Sequence, residues 1–71
     1  MITHSLTPAL DMADVLTALP HCYFSRDDAD KRTLTDGKDA VYVELVAGMK
    51  VAGFTYEVES PLVTAISEAL A

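Results

Sequence analysis

The sequence predicts a single two-layer α+β domain over residues 1–71: a three-stranded antiparallel sheet with two helices on one face, in the order α-β-β-β-α. Three observations predict it. The stretch Ala40 to Glu59, AVYVELVAGMKVAGFTYEVE, alternates as a β-hairpin does. Two hydroxyl–proline pairs, Thr7-Pro8 and Ser60-Pro61, each open an apolar stripe at helical spacing. His21 to Arg26 alternates as a short strand. Two amphipathic helices and a hairpin with one apolar face bury those surfaces most simply in two layers.

In chain order, residues 1–6 read as a loose lead-in. Thr7 supplies an N-cap hydroxyl and Pro8 a first helical residue, so the first helix is expected over residues 8–19. Ala9, Met12, Ala13, Leu16 and Leu19 form its apolar stripe with Val15 beside them, and Pro20 stops it. His21 to Arg26 follows as a strand, with Cys22 and Phe24 on one face and His21, Tyr23 and Ser25 on the other. Residues 27–39, DDADKRTLTDGKD, form the one long loop, in which Arg32 to Thr35 suits a little extended ribbon before the Asp36-Gly37 turn. The second helix is expected from residue 61 to the C-terminus, with Leu62, Ile66 and Leu70 as its stripe and Thr64, Ser67 and Glu68 in solvent.

The hairpin carries the strongest pattern. A two-residue turn at Gly48-Met49, read as type II′ with Gly accepting the positive φ, places Ala47 opposite Lys50, Leu45 opposite Ala52, Val43 opposite Phe54 and Val41 opposite Tyr56. The opposite face then carries Tyr42, Glu44, Val46, Val51, Gly53, Thr55 and Glu57, with Glu59 just beyond. A slip of one residue sets an apolar face against a polar one, so the alternation itself selects the register. Val43, Leu45, Phe54, Val58, Leu16 and Ile66 are expected to share one core.

Composition excludes several classes. A hydrophobic content of 51% is ample for a folded domain and argues against disorder. No apolar run approaches the roughly 20 residues that cross a bilayer. The first residues, MITHSLTPAL, show no basic region followed by an apolar block, so no secretory leader is expected. One cysteine forms no internal disulfide, which suits a reducing cytoplasm. Eleven acidic residues against five basic ones leave a net charge of −6, which disfavours direct contact with nucleic acid or anionic membranes.

Catalytic motifs are equally scarce. His21 and Cys22 are neighbours on a strand, so their side chains diverge, and no third group stands by to orient a base. The histidines, Cys22 and the aspartates lack metal-ligand spacing, and Asp28-x-Asp30 fails as a calcium loop because Arg32 takes the next ligand position. Gly37, Gly48 and Gly53 make no phosphate cradle. Neither metal nor cofactor is expected, and the chain reads as non-enzymatic.

The acids are unevenly placed. Asp27, Asp28, Asp30, Asp36 and Asp39 crowd the long loop, while Glu44, Glu57 and Glu59 fall on the open sheet face beside Tyr42. Side chains two apart on a strand are about 6.8 Å apart. That is roughly two charge steps of one DNA strand. In length, acidity and lack of catalytic motifs the chain resembles the compact acidic inhibitors that phages encode against host defence, the anti-CRISPR type. The resemblance implies occlusion of a nucleic-acid-binding groove on a protein with a basic surface. Asp27, Asp28, Asp30, Asp36, Asp39, Tyr42, Glu44, Glu57 and Glu59 are the expected contact residues, on a monomer or weak homodimer. The alternative from another class is an antitoxin, assembly chaperone or virion component that dimerises through an open face bearing Tyr42, Val46 and Val51.

Overall fold

A computed structural model describes residues 1–26 and 32–70. Its elements are β1 (Ile2–Asp11), α1 (Met12–Ala18), β2 (Tyr23–Arg26), β3 (Arg32–Thr35), β4 (Ala40–Val46), β5 (Lys50–Tyr56) and α2 (Pro61–Ala69). The strands form one five-stranded antiparallel sheet in the order β1-β5-β4-β3-β2. The protein is therefore α+β with two helices, as expected, but three strands in the order α-β-β-β-α must be corrected to five in the order β-α-β-β-β-β-α.

The first added strand is the supposed lead-in. Ile2 pairs with Tyr56, Thr3 with Thr55, His4 with Phe54 and Ser5 with Gly53, so the chain is extended from its second residue. The supposed helix start at Thr7-Pro8 sits where the β1–β5 register shifts, between Ser5 and Leu10. An irregular stretch of an edge strand is where a residue without an N–H is tolerated. Pairing resumes at Leu10 with Val51 and Asp11 with Lys50, which keeps Asp11 extended and delays the helix to Met12. The second added strand is β3, joined to both β2 and β4. Its four residues contain one aliphatic side chain, the fully buried Leu34, too little for an alternation to declare itself.

In the hairpin, Val43 faces Phe54, Tyr42 faces Thr55 and Glu44 faces Gly53, in the register that the alternation selects. Beyond Glu44 the register slips, so Leu45 meets Val51 and Val46 meets Lys50. Ala52 is the extra residue, and a bulge of this kind reverses the facing of everything beyond it. Val51, assigned to the open face by simple alternation, is fully buried, while Lys50 emerges on the open face within 3.7 Å of Asp11. The turn is likewise corrected: Ala47–Met49 form a three-residue loop in which Gly48 (φ 80°) and Met49 (φ 58°) both have positive φ, whereas type II′ has it at the first central residue alone.

Both helices cover one face of the sheet. Val15 and Leu19 from the α1 region, and Leu62, Val63 and Ile66 from α2, close over Leu6, Leu34, Val41, Val51 and Phe54. The Ser60-Pro61 start holds: Ser60 Oγ accepts from the Val63 N–H at 3.3 Å. Of the expected core, Phe54 and Ile66 are buried, and Val43, Leu45 and Leu16 pack against them. Val58 is a correction. It lies past the end of β5 and is 74% exposed, because the chain leaves the sheet at Tyr56 to reach the α2 cap.

Gly53 is where β1 meets β5 most closely. A Cβ there would stand 2.7 Å from the His4 carbonyl oxygen and 3.2 Å from the Ser5 Cα, both backbone atoms. Gly53→Ala should therefore cost about 1–3 kcal/mol by displacing β1. Urea unfolding would measure the loss, and amide exchange should quicken first between Thr3 and Ser5. Phe54→Ala should cost about 3–5 kcal/mol, since the ring is fully buried. A melting temperature little changed by that substitution would contradict the described core.

Candidate binding surface

The sheet face away from the helices is built by alternation. One row of paired residues crosses every strand: Thr3, Thr55, Tyr42, Thr33 and Ser25, on β1, β5, β4, β3 and β2. All five carry hydroxyls. The next row holds Ser5, Gly53 and Glu44. Thr55 donates its hydroxyl to Glu44 Oε1 at 3.2 Å, and Thr33 donates to the Ser25 carbonyl at 3.4 Å. Tyr42 and Glu44 thus stand on the open face, as expected, but the face as a whole is hydroxyl-rich, and Glu44 is its central carboxylate. Sequence reasoning missed this row. Its signal was the Thr-x-Thr alternation of Arg32–Thr35, which a polar loop masks.

Among the described residues, four of the seven remaining acids collect at one end of the sheet. Glu57 and Glu59 follow the last residue of β5, and Asp36 and Asp39 occupy the β3–β4 turn. Since Tyr42 pairs with Thr55, the chain before β4 and the chain after β5 emerge side by side. They frame a groove of about 290 Å³ lined by Asp39, Tyr42, Thr55, Glu57, Val58 and Met1, among others. Of the expected contact residues the fold therefore joins Asp39, Tyr42 and Glu57 in one groove. Glu57 and Glu59 lie off the strand, so the regular strand spacing does not extend to them. Asp27, Asp28 and Asp30 lie outside the described residues. The flanking Arg26 and Arg32 face each other at the other end of β2 and β3 from Asp36 and Asp39.

The β3–β4 turn is held from within. Asp36 Oδ1 accepts from the Lys38 N–H at 2.9 Å and the Asp39 N–H at 2.8 Å. Thr35 donates its hydroxyl to the Asp39 carbonyl at 2.7 Å and accepts from the Gly37 N–H at 3.0 Å. Gly37, at φ 94°, adopts a left-handed conformation that suits glycine. The N–H of Asp39, then that of Lys38, holds the Asp36 carboxyl below its ordinary range. Asp36 therefore braces the turn that carries Asp39.

A second groove, of about 420 Å³, runs between the end of α1, α2 and this turn, and Cys22, Leu19, Leu62 and Ala65 contribute to it. Cys22 is half-buried; burial, and then the negative charge of Asp36, push its thiol up, away from the nucleophilic thiolate. His21 beside it is exposed. Among the described residues, no group of three or more His, Cys, Asp or Glu is placed to hold a metal, and no helix is long and apolar enough to cross a membrane.

Compared with family models, with curated proteins and with solved structures, the chain matches none.

The turn yields a pH prediction. A carboxyl whose folded value is lowered adds stability that is fully present above its unfolded value and is lost as pH falls through the folded one. Asp36→Ala should therefore lower the melting temperature at neutral pH. The gap to the wild type should close as the pH drops below the ordinary carboxylate range, which parallel melts across an acid series would record.

Proposed function

We propose that the protein is a non-enzymatic binder that occludes a basic, nucleic-acid-binding groove on another protein, in the manner of the small acidic phage inhibitors it resembles. The observation that carries the reading is the meeting of Asp39, Glu57 and Tyr42 at one groove of a chain with net charge −6. Carboxylates on solvated turns steer a cationic partner and accept charge-assisted hydrogen bonds from its Arg and Lys side chains. Tyr42, 42% exposed beside them, offers a rigid amphipathic anchor of the kind that carries interface energy. Asp36 and Glu59 flank the groove, and Glu44 extends the acid onto the sheet. The mimicry is of local charge rather than of a regular phosphate ladder. The single Cys22, half-buried and with its thiol pushed up by burial, suits a reducing cytoplasm.

The dimerising alternative loses one of its supports. Val51 is fully buried, so an open face of Tyr42, Val46 and Val51 does not exist.

The test is a capture from host lysate, challenged with excess duplex DNA and repeated with variants. The wild-type chain should retain a basic partner that duplex DNA displaces. Charge reversal at Asp39 and Glu57 should slow association, weaken binding by ~10-fold or more at low salt, and flatten its salt dependence. Tyr42→Ala should mainly speed dissociation. A partner that stays bound in excess duplex, or that binds all these variants like the wild type, would refute occlusion by mimicry.

A further inference from the structure

We propose that the protein pairs with a second copy of itself along the outer edge of β1, joining two five-stranded sheets into one across a two-fold axis near His4. The inference is independent of the acidic groove. β1 is an edge strand, and the outer edge of such a strand presents backbone N–H and C=O groups that invite another strand. Edges are commonly guarded by charge, yet Ile2 to Leu10 includes no Asp, Glu, Lys or Arg in a chain with eleven acids and a net charge of −6. This stretch, Ile2 to Leu10, is where two such chains approach without setting acid against acid. The other edge differs: β2 is four residues long and ends at Arg26, directly opposite Arg32.

The side chains support a self-complementary register. Centred on His4, antiparallel pairing sets Ile2 of one copy opposite Leu6 of the other, Thr3 opposite Ser5, and His4 opposite His4. Ile2 and His4 lie on the helix-covered side with Tyr56 and Phe54, and Leu6 joins the core there. Thr3 and Ser5 lie on the open face, so hydroxyls meet hydroxyls. A groove of about 460 Å³ runs beside the strand, lined by Leu6, Pro8, Leu10, Ala69 and Leu70 together with His4, Ser5 and Thr7. Among the described residues it contains no acidic or basic side chain apart from His4. Ile2, 45% exposed, is the apolar group that this contact would cover. Pro8, which has no N–H to donate, ends the pairing. The occupant is thus a copy of the chain, because Ile2 to Leu6 is its own complement, as an isologous contact requires.

Sedimentation equilibrium against concentration tests the proposal. The wild type should move from 7.6 kDa towards twice that mass. His4→Lys and His4→Glu each place like charges across the axis and should be monomeric alone. Mixed in equal amounts they should restore the dimer, a rescue that a merely unfolded variant does not give. Amide exchange of the wild type should slow between Ile2 and Leu6 at high concentration, with β2 unchanged, which tests the same edge without any substitution. Ser25→Lys on β2 should leave the dimer intact. A wild type that stays monomeric, a dimer that both His4 variants retain, or concentration-dependent protection outside β1 would overturn the proposal.

Discussion

The close passage of β1 over Gly53 is the constraint on which the rest of the architecture depends. Only a residue without a Cβ lets the His4 carbonyl come so near, and with β1 in place β5 becomes an inner strand flanked on both sides. Phe54, next in sequence, is then sealed between β1, β4 and the helices, with no exposed surface. Fully burying such a side chain contributes roughly 1.5–3 kcal/mol. The Asp11–Lys50 pair in the same two strands is at least half exposed at each end, and surface pairs of that kind contribute about 0–1 kcal/mol. Burial of Phe54, not the ion pair, holds β1 against β5.

The bulge at Ala52 follows from the same junction. On both sides of β5 the pairing shifts there: β4 passes from Gly53 to Val51 in one step, and β1 needs four residues, Leu6 to Ala9, to make the same passage. The shift turns Val51 and Leu10 to the core and Lys50 and Asp11 to the open side. The helices depend on this platform. With seven and nine residues, α1 and α2 are below the length at which isolated helices persist, so packing on Val51 and Phe54 makes them helical.

Among the described residues, Glu44 is the one carboxylate within the hydroxyl rows of the open face. Threonine, serine and tyrosine suit a pleated surface and tolerate water, so the sheet needs no second layer. Asp36, Asp39, Glu57 and Glu59 stand where the chain turns or leaves the sheet, and there they do not oppose one another across strands. The molecule thus has an acidic end and, from Ile2 to Leu10, an edge-strand stretch without Asp, Glu, Lys or Arg.

Much was determined within the sequence itself. The α+β class, the Val43–Phe54 register, the Asp36-Gly37 turn, the Ser60 cap and the placement of Tyr42 and Glu44 on the open face all rest on patterns a few residues long. Such patterns act through local sterics and hydrogen bonds, so they are legible without the fold. Tertiary structure decided the rest. MITHSLTPAL became a strand because Ile2 meets Tyr56 and His4 meets Phe54, partners at the far end of the chain, and Thr7-Pro8 marks a strand irregularity as readily as a helix start. The Ala52 bulge reversed Val51, and the departure of the chain at Tyr56 left Val58 in solvent. The groove that joins Asp39 to Glu57 exists because Tyr42 pairs with Thr55, which brings the start of β4 beside the end of β5. Long-range pairing decides which neighbours a residue acquires, and local chemistry alone does not contain that information.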